Sequence, residues 1–288
     1  MLLKDKTLQQ RLEENGYLIL PFLNKEELKA VNNFYNEVHS KEEPPDFIDN
    51  IHMTIWCGNS EYKKKIKTNL EQLFHSPVLK LFHNTRSVNH VFIVKRKGEA
   101  TTFKVHQDWN VIDETKYQSV NVWVPLHDVD KDGGALWVVK GSHKIKRQVR
   151  GAGYLFPDYS PHIKELEKAA TSVNLKAGEA IIFYHSLIHG SPPNLTNDYR
   201  KAACFTVIPK EAPLCIYFQK DKHSKLERHE PEDDFMFNYN HLRTETYTKP
   251  PTPNPFIHHE PYINQIVSAG ELKNAIEPKK KFNWLFWK

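Results

Sequence analysis

The stretch VFIVKRKGEATTFKVHQD, residues 91–108, decides the fold and carries the first chemical signal of the chain. It reads as a β-rich run, a turn that contains a glycine, and a second strand that delivers His106. His106 and Asp108 are two residues apart, so on a strand both side chains point to one face and can bind one metal ion. With 16 histidines and 35 acidic residues in 288 positions, such a triplet also arises about twice by chance. The sequence around it therefore has to decide its meaning.

A second triplet of the same kind, His258–Glu260, has different surroundings. It lies in the proline-rich segment KPPTPNPFIHHEPY (249–262), and no histidine follows it. Prolines at this density favour turns and irregular structure. We therefore interpret this copy as a solvated loop.

Two more predicted strands follow the first triplet, SVNVWVPL (119–126) and GGALWVVKGSHK (133–144), with the turn sequence DVDKDGG between them. Further on, AIIFYHSLIHGS (180–191) alternates with a period of two, which places His185 and His189 on one face. Pattern alone leaves either histidine as the third ligand. Strands without repeats and without regularly intervening helices predict an antiparallel sandwich or barrel.

The residues after His189 indicate what the metal would bind. Gly190 allows close approach of the backbone, and Ser191 offers a short hydroxyl. We expect a hairpin to bring the next strand, which begins at Arg200, beside the strand of His189. An inward arginine there suits a carboxylate as bidentate partner. Two imidazoles and one carboxylate leave one face of a metal open, which is typical of non-heme Fe(II) oxygenases.

Taken together, these segments resemble the phytanoyl-CoA dioxygenase (PhyH) family of Fe(II)- and 2-oxoglutarate-dependent oxygenases. The resemblance covers nearly the whole chain and rests on NGYLILPFL (15–23), HQDW (106–109), WVPL (123–126), GSHK (141–144), LKAGEAIIF (175–183), HGS (189–191) and Arg200. It implies a mainly β fold with flanking helices, built on a double-stranded β-helix (a cupin-like jelly roll) with the metal at its open mouth.

The resemblance also implies the catalytic centre. His106, Asp108 and His189 match the iron ligands, and Arg200 matches the arginine that pairs with the distal carboxylate of 2-oxoglutarate. His185 matches a variable position, so we place it behind the ligands or in the core. Related halogenases have a small residue in place of the carboxylate, so the presence of Asp108 favours hydroxylation.

Four further residues are expected in the co-substrate pocket. Ser191 and Trp123 match positions that line it, while Asn89 and Lys95 fall near family positions that contact co-substrate or substrate. The region after residue 210 has no close match that we can place, which leaves the identity of the substrate open.

The sequence after the triplet suggests substrate contacts. Trp109, Asp113 and Glu114 follow the ligands in DWNVIDE (108–114), where they suit a substrate with a cationic or hydroxyl group. A capped loop over the pocket explains them nearly as well. The basic run KIKRQVRG (144–151) is expected near the rim of the site, as a solvated loop or as a contact for an anionic substrate.

The expected function is hydroxylation of an unactivated C–H bond of a small-molecule or carrier-linked substrate. The resemblance implies Fe(II) as the cofactor, 2-oxoglutarate and dioxygen as co-substrates, and succinate and CO2 as products. One alternative is a cupin-like metal enzyme that does not use 2-oxoglutarate. Another is a non-catalytic jelly-roll binding module. The buried arginine argues against the first, and the intact ligand set argues against the second.

Composition is that of an ordinary soluble globular protein, with 39% hydrophobic and 26% charged residues. We expect one domain over 1–288, with helical support in 1–86, the jelly-roll core in 87–219 and a C-terminal extension in 220–288 that is a candidate lid. The apolar stretches are too short for a transmembrane segment. The terminal FNWLFW (282–287) is interpreted as a hydrophobic tail packed on the domain.

Charge and cysteine content bound the partners and the compartment. The net charge of +5 is mild and no recognition fold for nucleic acid is visible, so we expect no nucleic-acid partner. The start of the chain is a charged amphipathic helix rather than a signal peptide. Cys57, Cys204 and Cys215 read as buried thiols of a reducing compartment, so we expect a cytoplasmic protein. The oligomeric state stays open.

Overall fold

The computed structural model describes residues 1–39, 43–145, 149–155, 159–238, 256–260, 262 and 267–276. The α-helices of these residues are α1 Lys6–Asn15, α2 Lys25–Val38, α3 Ser60–Leu81, α4 Ile163–Ala169, α5 Phe235–Asn238 and α6 Ala269–Ile276. The strands are β1 Tyr17–Pro21, β2 Ile51–Met53, β3 Thr85–Lys95, β4 Phe103–His106, β5 Val120–Pro125, β6 Trp137–Val139, β7 Ala152–Gly153, β8 Ala170–Ser172, β9 Glu179–Tyr184, β10 His189–Ser191, β11 Arg200–Pro209, β12 Ile216–Gln219, β13 Leu226–His229 and β14 Phe256–Glu260.

Two antiparallel sheets form the jelly-roll core. The larger sheet has the strand order β1-β9-β5-β11-β3-β2, and the smaller one has the order β4-β10-β6-β8. A buried apolar cluster joins them, with Trp123 and Phe183 from the larger sheet and Val138 from the smaller. A third sheet, β14-β13-β12-β7, is antiparallel except for the parallel pair β12–β7. The predicted fold class is confirmed.

The larger sheet is buried on both faces, which explains its nearly continuous apolar strands. In β5, Val122 belongs to the cluster shared with the helices, whereas its neighbour Trp123 faces the smaller sheet. Phe34 of α2 and Phe74 of α3 belong to the same cluster as Val122. The helices therefore close the outer face of this sheet, and its inner face is left for the site.

Local sequence signals mark the ends of the first two helices. The turn after α1 is made by Gly16 at φ 88°, in the left-handed conformation that favours glycine at a helix C-terminus. Helix α2 begins with a capping box, in which Asn24 accepts from the backbone N–H of Glu27 and the Glu27 carboxylate accepts from the backbone N–H of Asn24. These two ends place β1 between α1 and α2, at the edge of the larger sheet.

The predicted hairpin between the strands of His189 and Arg200 is wrong. Strand β10 pairs with β4 and β6, whereas β11 pairs with β3 and β5. The turn sequence after Ser191 carries the chain from one sheet to the other instead of back along the same sheet. The strands of His189 and Arg200 therefore lie in opposite sheets of the sandwich.

The prediction of a loop for His258–Glu260 is also wrong, because β14 pairs antiparallel with β13. This pairing is a long-range contact that overrides the local effect of the prolines. The proposed division at residues 86 and 219 stays a prediction, although β1 and β2 join the larger sheet from the N-terminal part. The terminal FNWLFW lies outside the described residues. Of the helices that the structure describes, none is long and apolar enough to cross a membrane.

Candidate active site

The three predicted ligands meet at one end of the sandwich. His106 is the last residue of β4 and is paired with His189, the first residue of β10. The potential ligand atoms of His106, Asp108 and His189 all lie within 4.8 Å of one another. Asp108 Oδ1 is 3.7 Å from His106 Nε2, and Asp108 Oδ2 is 3.6 Å from His189 Nε2. Among the described residues this is the one such cluster of metal-binding side chains.

Asp108 reaches this position differently from the prediction. Strand β4 ends at His106, so Asp108 does not share a strand with it. Instead the backbone N–H of Asp108 donates to the carbonyl oxygen of His185, and the Arg150 Nε donates to the carbonyl oxygen of Asp108. Two tertiary hydrogen bonds thus replace the strand geometry.

Both histidines present a free nitrogen to the centre. The Nδ1 of His106 lies 2.7 Å from the carbonyl oxygen of Lys104, and the Nδ1 of His189 lies 2.9 Å from that of Leu187. A carbonyl oxygen only accepts, so each Nδ1 carries the proton and each Nε2 lone pair faces Asp108. This is the tautomer that a divalent metal requires.

Burial and the neighbouring charges keep His189 and Asp108 in their ligating forms, whereas Asp108 raises the pKa of His106. Burial lowers the pKa of His189 to about 4, so this imidazole is neutral at neutral pH. Burial alone would raise the pKa of Asp108, but His189 and His106 outweigh it and hold the carboxyl pKa well below its usual range. A carboxylate and neutral imidazoles are the species that bind Fe(II).

A second layer of hydrogen bonds orients Asp108, and the sequence patterns did not reveal it. Asn121 Nδ2 donates to Asp108 Oδ2 at 2.8 Å, and Thr206 Oγ1 donates to Asn121 Oδ1 at 2.7 Å. Asn121 and Thr206 are direct partners in the register of β5 and β11. The only available signal was an asparagine at an inward position of a buried, valine-rich strand. His185 lies behind the ligands, with Nε2 3.4 Å from Thr206 Oγ1.

Arg200 lies at the other end of the cavity and has the character expected of an anion-binding residue. Its side chain is 1% exposed, and its Nε and Nη1 are buried without a hydrogen-bond partner in the described part of the chain. Its Cζ is 5.2 Å from the centre of the Trp123 ring. Burial lowers the pKa of Arg200 to about 9, which still leaves it cationic at neutral pH.

Lys95 adds a buried amine, a second hydrogen-bond donor, beside Arg200, its partner in the register of β3 and β11. Lys95 Nζ donates to Ser191 Oγ at 2.6 Å and to the carbonyl oxygen of Pro192 at 2.8 Å. Burial, followed by repulsion from Arg200, lowers the pKa of Lys95 to about 6. A buried arginine with unpaired donors is unfavourable unless an anion binds to it. The donor set thus fits a carboxylate such as that of 2-oxoglutarate.

One cavity of about 330 Å³ connects the two ends. Its walls include all three predicted ligands as well as Ser191, Arg200, Trp123, Asn89, Trp109 and His185. Lys95 is not part of this lining but contacts two residues that are, Ser191 and Phe103. Residues from both sheets and from the loop after β4 thus enclose one space that reaches from the metal ligands to the arginine.

The two predicted acidic substrate contacts are engaged elsewhere. Glu114 forms an ion pair with the buried Arg150 at 2.6 Å, and Asp113 lies 3.5 Å from Arg228 and accepts hydrogen bonds from Thr115. Neither lines the cavity. Their role as substrate contacts stays a prediction, and their observed role is to fix the loop after Trp109. Arg150 also accounts for one charge of the basic run 144–151, of which residues 146–148 lie outside the described part.

Comparisons with known proteins agree with this geometry. The sequence model of the family described as "Phytanoyl-CoA dioxygenase (PhyH)" matches residues 12–202. A phytanoyl-CoA dioxygenase of Arabidopsis thaliana is 30% identical over 125 residues, covering 42% of this chain and 44% of that protein. The peroxisomal phytanoyl-CoA dioxygenase of Homo sapiens is 24% identical over 227 residues, covering 68% of this chain and 66% of that protein. The matches with the relative from Arabidopsis thaliana and with a phytanoyl-CoA dioxygenase of Oryza sativa each span less than half of the relative's length.

Solved structures share the fold. The epimerase SnoN, determined with Fe3+, α-ketoglutarate and nogalamycin RO, superposes with a TM-score of 0.54 at 17% identity, covering 73% of this chain and 85% of that one. HygX from Streptomyces hygroscopicus, determined with nickel, 2-oxoglutarate and hygromycin B, gives a TM-score of 0.51 at 14% identity, covering 72% and 88%. At these identities the likeness establishes the fold.

Proposed function

The chain belongs to the phytanoyl-CoA dioxygenase family, and from this membership and the geometry of the site we propose that it is an Fe(II)- and 2-oxoglutarate-dependent dioxygenase. The proposed reaction is hydroxylation of an unactivated C–H bond of a small-molecule or carrier-linked substrate, with release of succinate and CO2. The observation that carries the proposal is the pairing of a three-residue metal cluster with a buried, unpaired arginine in one cavity.

The metal cluster has the donors that Fe(II) needs. His106 and His189 would bind it through their Nε2 atoms, and Asp108 through its carboxylate. When bound, Fe(II) with 2-oxoglutarate supplies the oxidising chemistry, in which dioxygen gives one oxygen atom to succinate and one to the C–H bond. The protein supplies ligation, orientation and a pocket shielded from water.

Arg200 supplies the orientation of the co-substrate. Its guanidinium is planar and presents donors in a fork that fits a carboxylate. Because its Nε and Nη1 have no partner in the described part of the chain, the arginine is preorganised and gives up no internal ion pair when the anion enters. Ser191 and Trp123 line the same part of the cavity and restrict the position of the carboxylate.

The test is an anaerobic titration of the purified protein with Fe(II) and then with 2-oxoglutarate, followed by visible absorption. A weak metal-to-ligand charge-transfer band that requires both additions, and that is absent in H106A and D108A, supports the proposal. Iron binding without a band would rule out 2-oxoglutarate and favour the cupin-like alternative. Failure to bind iron would favour a binding module.

The proposed substrate is a small molecule, free or attached to a carrier. A cavity of about 330 Å³ lies at the lower end of the range typical of small-molecule sites. Release of succinate from 2-oxoglutarate in the presence of candidate compounds measures turnover directly. Stimulation by carrier-linked acids but by none of the matching free acids would restrict the substrate to the carrier-linked class.

We propose that the protein acts in the cytoplasm. Cys57, Cys204 and Cys215 are all free thiols, which fits a reducing compartment. Fractionation of the cells that make the protein tests this location. Recovery in the cytosol is the expected result, and recovery with peroxisomes, the location in the names of the Bos taurus and Homo sapiens relatives, would contradict it.

A further inference from the structure

Asn89 has a backbone conformation that is unusual inside a strand. Its φ is 58°, in the left-handed region, although it lies in the middle of β3. In the register of β3 and β11, Val88 is paired with Thr206 and Val91 with Cys204, so β3 contains one extra residue between these pairs. This is a β-bulge, a device that redirects a side chain and is frequent beside active sites.

The bulge directs Asn89 into the cavity. The side chain lines the main cavity and also a small adjoining cavity next to Trp109 and Met236. Its Oδ1 is buried and has no hydrogen-bond partner in the part of the chain that the structure describes. A strained backbone and an unsatisfied buried acceptor at one residue are both unfavourable for stability, and such features concentrate at binding sites.

Asn89 lies far from the arginine end of the cavity. Lys95, which is paired with Arg200, is six residues further along β3, or about 20 Å at the rise of an extended strand. Val88, by contrast, is paired with Thr206, which leads through Asn121 to the metal ligand Asp108. Along β3, Asn89 therefore lies at the level of the metal cluster and away from Arg200. The expected contact between Asn89 and the co-substrate stays a prediction, and the separation of Asn89 from Arg200 favours a contact with the substrate instead.

The walls around Asn89 restrict the chemistry of the substrate. Trp109, Val111 and Met236 line the cavity at this end and also the small adjoining cavity that Asn89 lines. Arg200 is the one cationic side chain of the described cavity lining, and it lies at the other end. A carboxylate or phosphate placed beside Asn89 would lose its hydration without gaining a counter-ion.

We propose that Asn89 is a substrate-recognition residue and that the substrate is a neutral, hydroxyl-bearing molecule with an apolar framework. The inference rests on the proposed oxygenase function. A carboxamide offers an acceptor and two donors, and a hydroxyl both donates and accepts, so the substrate hydroxyl satisfies the Asn89 Oδ1. The apolar framework packs against Trp109, Val111 and Met236. This contact fixes the orientation of the substrate, and with it the carbon that is presented to the metal.

The test compares three probes of similar size: benzyl alcohol, benzyl methyl ether and benzoate. Binding is followed by tryptophan fluorescence, since Trp56 and Trp109 line the cavity, in anaerobic protein loaded with Fe(II) and 2-oxoglutarate. One hydrogen bond to a buried group contributes about 1 kcal/mol, so benzyl alcohol is expected to bind about fivefold more tightly than the ether. Benzoate is expected to bind weakest.

The informative variant is N89G, because glycine adopts a φ of 58° without strain and the variant should fold. It is expected to lose the preference for the alcohol, bringing the ratio of the two dissociation constants near one. N84G is the matched control, since Asn84 also has a positive φ, of 48°, but is exposed before the start of β3. Its preference should equal that of the wild type.

A second variant tests whether the charge at position 89 determines which probe binds most tightly. N89D keeps the shape of the side chain and adds a negative charge, so it should bind benzylammonium more tightly than the wild type does. Retention of the alcohol preference in N89G would overturn the proposal, and so would tightest binding of benzoate by the wild type. Failure of the oxygenase proposal gives a different result, because the wild type would then show no charge-transfer band, irrespective of how the three probes bind.

Discussion

Replacement of Arg200 by methionine should affect affinity and stability in opposite directions. The guanidinium is fully buried, and burial lowers its pKa from the usual arginine value to about 9. At about 1.4 kcal/mol per tenfold change in equilibrium, this corresponds to a penalty of roughly 5 kcal/mol for a buried cation without an anion. The unfolded state holds the proton more tightly, so the penalty is fully present below pH 9 and decreases as the pH rises above 9 towards the usual pKa of arginine.

Methionine fills similar space without the charge. We therefore expect R200M, in the absence of 2-oxoglutarate, to be more stable than the wild type by about 1–4 kcal/mol, the gain seen when buried charges are replaced by apolar side chains. In the loaded enzyme the same change removes a charge-assisted bidentate pair of about 2–5 kcal/mol. Affinity for 2-oxoglutarate should then fall about 30- to 4000-fold.

Urea denaturation with and without 2-oxoglutarate, in anaerobic Fe(II) buffer, measures both effects in one experiment, because a ligand stabilises in proportion to its affinity. R86M is the matched control: Arg86 forms an ion pair with Asp233 near the surface, and its loss should change stability by less than about 1 kcal/mol. If R200M were less stable without ligand, or bound 2-oxoglutarate as the wild type does, the reasoning about the unpaired guanidinium would be refuted.

Three further changes test the supporting structure. N121A and T206V should each weaken Fe(II) binding, N121A by about 10- to 100-fold. In an anaerobic titration the double variant should lose less affinity than the product of the two single effects. Independent effects would contradict the hydrogen-bonded chain from Thr206 through Asn121 to Asp108. G190A should lower the free energy of unfolding by about 1–3 kcal/mol, because a Cβ there would lie 2.5 Å from Trp137 Cζ2. In urea denaturation G58A, whose nearest contact is 3.9 Å, should lose less, and equal losses would count against the packing argument. Burial lowers the pKa of His90 to about 3, so the unfolded state takes up this proton first and the wild type loses stability as pH falls from 6.5 towards 3. H90L should be more stable than the wild type at pH 7 by about 1–3 kcal/mol, because both ring nitrogens of His90 lack partners in the described part of the chain. Its stability should also depend less on pH between 7 and 5, and an unchanged pH dependence would contradict this reasoning.

Local patterns determined much of this protein. Period-two alternation identified β5 and β9, and the capping residues located the ends of α1 and α2, because these features depend on neighbouring residues in the chain. The three ligand positions and Arg200 came from short motifs and from the resemblance that those motifs carry. The structure brings all four side chains to one cavity.

Only the tertiary structure decided how the parts are arranged. The crossing of the chain between the sheets, the pairing of β13 with β14 and the ion pair of Glu114 with Arg150 each join residues whose sequence gives no sign of the partner. The bulge at Asn89 likewise exists only in the register between β3 and β11. A motif can be recognised from neighbouring residues alone. Strand register, ion pairing and the burial of Arg200 depend instead on contacts between segments far apart in the chain.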